Sequence, residues 1–159
     1  MIFKSIKLSN FRQFRNNDVI TFSTDPKNNV TLFVADNNVG KTTLLQAFLW
    51  CLYGEAKLDN EQNLANVVEF NKLPIGVLIE VAVELELISE CKEYIISRKI
   101  MVSKNNESKQ IIMTKPENQL NIFIKLENGT TVPESNRLIE KLFPRELSDY
   151  FFFDGERMR

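Results

Sequence analysis

The chain has 159 residues, 43% of them apolar and 26% charged, with a net charge of −1, the make-up of one globular domain with a core of its own. It contains no histidine, which excludes Ser-His-Asp and Cys-His catalysis and almost every His-ligated zinc or iron site. Two cysteines, Cys51 and Cys91, are too few for a disulfide framework, and no apolar run approaches the roughly 18 residues of a membrane-spanning helix, so a cytoplasmic protein without membrane contact is expected.

Two short strands, 3–8 and 19–22, open the chain, joined by a polar turn over 10–18 that carries Phe11-Arg12-Gln13-Phe14-Arg15. After a second turn at 25–29, Val30-Thr31-Leu32-Phe33-Val34 is β-branched and aromatic with no polar side. That pattern predicts the central strand of a sheet covered on both faces. A loop over 35–40 leads into 42–53, a helix apolar nearly all round that stops at Gly54. Residues 55–74 read as a polar loop holding one short helix.

From Val77 the period changes to two. Val77, Ile79, Val81, Val83, Leu85 and Leu87 alternate with a side rich in Glu80, Glu84 and Glu86, which predicts a half-exposed antiparallel strand with an acidic outer side. Similar strands follow at 93–102, 109–114 and 121–126, and Asn128-Gly129 has the chemistry of a two-residue hairpin turn. Pro133 starts a helix with Leu138, Ile139, Leu142 and Phe143 on one face, Pro144 ends it, and a short second helix precedes Tyr150-Phe151-Phe152-Phe153. The predicted fold is α/β: a mixed sheet containing strand 30–34, an antiparallel layer from about 75 to 132, and helices at 42–53 and 134–149.

Ala35-Asp36-Asn37-Asn38-Val39-Gly40-Lys41-Thr42 fits the phosphate-loop pattern G-x-x-x-x-G-K-[ST], with Ala in the first Gly position. At average residue usage such a match arises by chance in roughly one chain in a hundred of this length. The spacing has a physical purpose. Consecutive backbone N–H groups form an anion nest, the helix start adds its positive dipole end, Lys41 reaches the β- and γ-phosphates, and the Thr42 hydroxyl holds Mg²⁺. The competing reading is an ordinary strand-to-helix turn. Asn38 occupies a position where this loop usually has Gly, and Asn tolerates left-handed backbone geometry well. Asn71-Lys72 is followed by Leu73-Pro74, so the Asn-Lys-x-Asp motif of guanine specificity is absent and ATP is the expected nucleotide.

Tyr150-Phe151-Phe152-Phe153-Asp154 has three readings: core packing ending in a solvated turn, a Walker B strand delivering Asp154 to Mg²⁺, or a family-specific metal-sensing segment. Gly155 weakens the second, because the Glu that follows the Asp in hydrolytic enzymes comes one residue late. The third rests on resemblance. Ser9-Asn10-Phe11-Arg12-Gln13-Phe14, Asn37-Asn38-Val39-Gly40-Lys41-Thr42-Thr43-Leu44-Leu45, Leu52-Tyr53-Gly54 and Phe151-Phe152-Phe153-Asp154-Gly155-Glu156 together resemble the N-terminal ATPase lobe of SMC-like proteins of the SbcC and RecF type, nearest the phosphorothioation-associated DndD family.

The resemblance covers residues 1–159 as a single N-terminal lobe of a P-loop NTPase head, cut before a coiled coil. It implies Lys41 as the catalytic cation, Arg12, Asp36, Asn37, Asn38, Val39, Gly40, Lys41, Thr42 and Thr43 around ATP, and Thr42 with either Asp154 or Glu156 at Mg²⁺. It further implies a C-terminal lobe, a head-to-head homodimer, DNA as partner of the full-length protein, modification or restriction proteins as further partners, and a role in DNA processing, repair or anti-phage defence. Two rivals stand beside it: a non-hydrolytic, nucleotide-gated scaffold with a phosphate loop spoiled at Ala35 and Asn38, and a complete small phosphotransferase. Lys4, Lys7, Arg12 and Arg15 beside Phe11 and Phe14 read either as a phosphate-tracking surface or as a solvated face over two core rings.

Overall fold

A computed structural model describes residues 1–34, 40–55, 64–112 and 119–152. Their elements in chain order are strands β1 (Ile2–Ser9) and β2 (Asp18–Thr21), helices α1 (Lys41–Tyr53) and α2 (Val67–Lys72), strands β3 (Leu78–Ser89), β4 (Lys92–Lys104), β5 (Gln110–Ile112), β6 (Leu120–Lys125) and β7 (Thr131–Glu134), and helix α3 (Arg137–Leu142). A 3-10 turn, Arg145–Leu147, then runs into the single-turn helix α4 (Ser148–Phe151).

The strands form one sheet in the order β2-β1-β3-β4-β6-β7, with β5 beside the end of β4. Every pairing is antiparallel. The alternation in β3 does what its period requires: Val81, Val83, Leu85 and Leu87 are buried, while Glu84 and Glu86 sit on the opposite face beside Lys7 and Ser5 of β1. Helix α1 lies across β3 and β4 on the inner face. Phe3 joins the other end of the chain to that face, touching Phe48 of α1 at 5.1 Å and stacking on Phe143 after α3 at 5.7 Å. The outer face carries side chains in ion pairs, Lys4–Glu93 at 2.9 Å and Lys99–Glu80 at 3.5 Å.

Three expectations are corrected. Residues 30–34 form no strand, and Val30, Leu32 and Val34 are 80%, 81% and 86% exposed. An all-apolar run states a need for cover on both faces, but among the described residues no strand pairs with it, so the described sheet is antiparallel throughout and not mixed. Pro133 opens no helix. It lies in β7, opposite Phe123, where an outermost strand has an unpaired side that tolerates its missing N–H. The short second helix does not precede the aromatic run but contains its start, since α4 holds Tyr150 and Phe151, with Tyr150 84% exposed. Phe152 meets Phe48 at 5.7 Å and packs on the core, while Phe151 meets Phe143 at 6.0 Å but stays 44% exposed, so the core-packing reading holds for Phe152. Phe153, Asp154 and Glu156 lie outside the described residues.

The C-terminus of α1 is fixed by a buried cation. Arg98 of β4 points inward, almost fully buried, and its guanidinium donates to the carbonyls of Cys51 at 3.0 Å and Leu52 at 3.4 Å. A positive charge there meets the negative end of the helix dipole and satisfies carbonyls that the helix leaves over. Gly54 ends the helix at φ 78°, its N–H bonded to the carbonyl of Trp50, and a Cβ at that position would sit 3.3 Å from the Arg98 guanidinium. The neighbouring thiol of Cys51 donates to the carbonyl of Val83 at 3.4 Å, and burial pushes its pKa up to about 12 against the pull of Arg98.

Two outcomes follow for stability and reactivity. Arg98→Met fills the space but orphans those carbonyls, and urea unfolding should give a loss of about 2–4 kcal/mol. Alkylation of the native chain near pH 8 should label exposed Cys91 and spare Cys51, with both labelled in denaturant, as read by mass spectrometry.

Candidate nucleotide site

The site is built around the start of α1. Gly40 is its N-cap at φ 111° and ψ 16°, a left-handed conformation that side-chain-bearing residues rarely adopt. No side chain caps this end, and the first turn holds no acid. Among the described residues, no carboxylate on that turn meets the positive end of the dipole. Lys41 and Thr42 stand exposed on this first turn, whereas Thr43 is buried. The amide of Leu44 closes the turn on the carbonyl of Gly40 at 2.8 Å.

Facing this helix start is the turn between β1 and β2. Phe11 is buried against Trp50, ring centroids 5.4 Å apart. Gln13 accepts a hydrogen bond from the Thr43 hydroxyl at 2.7 Å. A Cβ on Gly40 would lie 3.6 Å from the Phe14 ring, so the turn approaches α1 at both Gly40 and Thr43. Asn10, Arg12 and Asn16 all take positive φ, at 51°, 52° and 51°, a backbone state that surrounding structure must hold.

Asn66 holds the first two of these residues. Its side-chain amide donates to the carbonyl of Arg12 at 2.6 Å and its backbone N–H to the carbonyl of Asn10 at 2.7 Å. Its side-chain oxygen caps α2, accepting from the amides of Val68 at 3.1 Å and Glu69 at 3.2 Å. The amide of Arg12 in turn donates to the carbonyl of Leu64 at 2.9 Å. One buried asparagine thus fastens the turn to α2 and leaves Gln13 and Phe14 facing α1.

Of the residues expected at the site, the structure brings Gly40, Lys41, Thr42 and Thr43 together on one helix start, with the backbone of Arg12 in the adjoining turn. Asp36, Asn37, Asn38 and Val39, and the carboxylates Asp154 and Glu156, fall outside the described residues. Among the described residues, no group of three His, Cys, Asp or Glu side chains forms a metal cluster. The two opening lysines lie beside acids. Lys4 is engaged by Glu93, whose carboxyl it holds below the usual range, Lys7 stands across from Glu84, and Phe11 is core. This is the solvated-face reading for the strand half of that segment.

Gln13, Asn66 and Arg98 escaped the sequence. For Asn66 a signal exists, since Asn66-Val67-Val68-Glu69 has the spacing of a helix N-terminus. For Arg98 none does, because strand alternation at its position calls for an apolar side chain.

The AAA domain family matches residues 5–158. DNA replication and repair protein RecF of Clostridium kluyveri is 29% identical over 125 residues, covering 74% of this chain and 33% of that protein. RecF of Clostridium perfringens strain SM101 is 25% identical over 127 residues, covering 74% and 33%. The chain spans about a third of the length of these curated relatives. Among the described residues, no helix is long and apolar enough to cross a membrane.

The Asn66 clamp has a measurable consequence. Asn66→Ala removes one donor to the turn and the α2 cap together, and urea denaturation should show about 2–3 kcal/mol less stability. Asn66→Ser keeps a capping oxygen and loses the amide that reaches Arg12, so its deficit should be smaller.

Proposed function

This chain belongs to the AAA domain family, and we propose that it is the ATP-binding lobe of an SMC- and RecF-like ATPase whose full-length form works on DNA. The observation that carries the reading is the start of α1, where a left-handed Gly40 leads into exposed Lys41 and Thr42 on a helix end with no acid and no side-chain cap. Such an end is chemically suited to a polyphosphate, and the motif 35–42 precedes it at the spacing phosphate binding needs. Relatives named for DNA replication and repair support DNA as the partner of the whole protein.

In this reading Lys41 neutralises charge on the β- and γ-phosphates, and backbone amides from 37 to 43 cradle the β-phosphate. Thr42 contributes one neutral oxygen, which suits a Mg²⁺ carried largely by nucleotide phosphates. Asp154 or Glu156 supplies the carboxylate, and Arg12 serves the nucleotide edge or a head-to-head dimer surface. Mg-ATP brings the transferable phosphoryl group and the charge that the site is shaped to meet. A switch then requires that the closed pair of heads contact the γ-phosphate more strongly than the open pair, because a ligand that binds both equally shifts nothing. The narrower link to phosphorothioate DNA and anti-phage defence rests on Phe152-Phe153-Asp154-Gly155-Glu156 alone. The substitutions Ala35 and Asn38 favour one alternative, a scaffold that binds nucleotide without hydrolysing it.

The test is turnover by the full-length protein. Lys41→Ala should lower ATP hydrolysis by orders of magnitude, because it removes the side-chain cation that the motif aims at the transferring phosphate. Unchanged turnover in the purified variant overturns the assignment. Lys41-dependent binding with no turnover even in the wild type selects the scaffold.

A further inference from the structure

A threonine inside a helix ordinarily returns its hydroxyl to a carbonyl one turn back. Thr43 does not. Buried on α1, it reaches out of the helix and donates to Gln13 Oε1 at 2.7 Å, across 30 residues of sequence. The same turn brings Phe14 against Gly40, 3.6 Å from where a Cβ would stand. These two contacts bracket Lys41 and Thr42, which lie between them in sequence and carry the exposed polar groups of the helix start. Gln13 is held in its turn, since the residue before it is fastened at both its N–H and its carbonyl by Leu64 and Asn66.

We propose that Gln13 is a positioning residue of the nucleotide site: by holding the Thr43 hydroxyl it fixes the first turn of α1, and with it the direction in which Lys41 and the amides of that turn face phosphate. This rests on the nucleotide reading above. Gln13 acts through Thr43 and need not touch the ligand. The physical need is plain, because a helix start without a side-chain cap has no local device to stop it fraying. A lateral strut supplies the rigidity while leaving the phosphate-facing N–H groups uncovered.

The experiment is a double-mutant cycle in the full-length protein, using Gln13→Met, which keeps length and bulk without the amide, and Thr43→Val, with Thr43→Ser as the conservative control. Calorimetry reads Mg-ATP affinity, and hydrogen exchange without nucleotide reads the amides of Leu44 and Leu45. Gln13→Met should weaken Mg-ATP binding about 3- to 10-fold, the worth of one hydrogen bond between neutral groups. It should cost nothing further once Thr43 is Val. Thr43→Ser should bind as the wild type does. Exchange at Leu44 and Leu45 should quicken in Gln13→Met while the amides of β3 and β4 keep their protection, a pattern that general destabilisation does not produce.

Wild-type affinity and exchange in Gln13→Met, or an equal loss in both Thr43 backgrounds, overturns the proposal while leaving the nucleotide reading intact. Failure of the wild type to bind Mg-ATP, or binding by Lys41→Ala as tight as the wild type's, overturns the nucleotide reading and this inference with it.

Discussion

If helix α1 receives phosphate, as proposed above, its N-terminus has to stay open, and much of the described structure fits that constraint. A helix end that is to receive phosphate cannot spend its N–H groups on a side-chain cap, so the stabilisation forgone there must come from elsewhere. It comes from the other end and from the flank. Arg98 closes the C-terminal carbonyls from beneath, Gly54 turns the chain out in the left-handed conformation, and Trp50, Cys51 and Leu52 are buried against the sheet. At the flank, Gln13 holds Thr43. The antiparallel strands β3 and β4 are the platform on which these contacts are made.

Burying Arg98 carries a cost of its own, since a guanidinium taken out of water loses several kcal/mol of hydration before any partner is counted. Carbonyls at the negative end of a helix offset that loss better than a lone carboxylate would, because the dipole and two acceptors are already fixed in place. Removing the cation therefore harms the helix more than it relieves the core. The outer face follows the opposite rule. There Lys4, Lys125 and Glu93 meet on a solvated surface, where ion pairs contribute little. Of the basic residues of β1, Lys4 is paired with Glu93 and Lys7 stands in register with Glu84.

What was legible in the sequence was whatever expresses itself as a period or a turn. The twelve-residue strand β3 was readable because its alternation is strict, α1 because it is apolar nearly all round between the motif 35–42 and Gly54, and the β6–β7 hairpin because Asn128-Gly129 marks a turn. That loop has three residues, 127–129, and not the expected two: the amide of Leu126 donates to the carbonyl of Thr130 at 2.8 Å, and only Gly129 takes positive φ, at 82°. Within the site, Gly40 to Thr43 were legible as a motif. Gln13 was not, and of Asn66 only the local α2 cap was, because the contacts of Gln13 with Thr43 and of Asn66 with Arg12 arise from which distant segments meet, and a polar residue in a polar turn carries no mark of that meeting.

The segment 30–34 shows where pattern reading stops for a physical reason. A run of Val, Leu and Phe without a polar side says that the segment loses free energy in water, about 25 cal/mol for each Å² left exposed, but not what relieves the loss. The described residues relieve it in part. Phe33 meets Phe22 at 5.9 Å, and from there the rings of Phe48, Phe152, Phe151, Phe143 and Phe3 continue in contact to the sheet. The same seam receives Phe151 and Phe152, for which the sequence also allowed a metal-bearing strand. Apolar composition thus located both segments on one aromatic surface while leaving their secondary structure undetermined, because dispersion and water exclusion are indifferent to whether a strand or a helical turn delivers the ring.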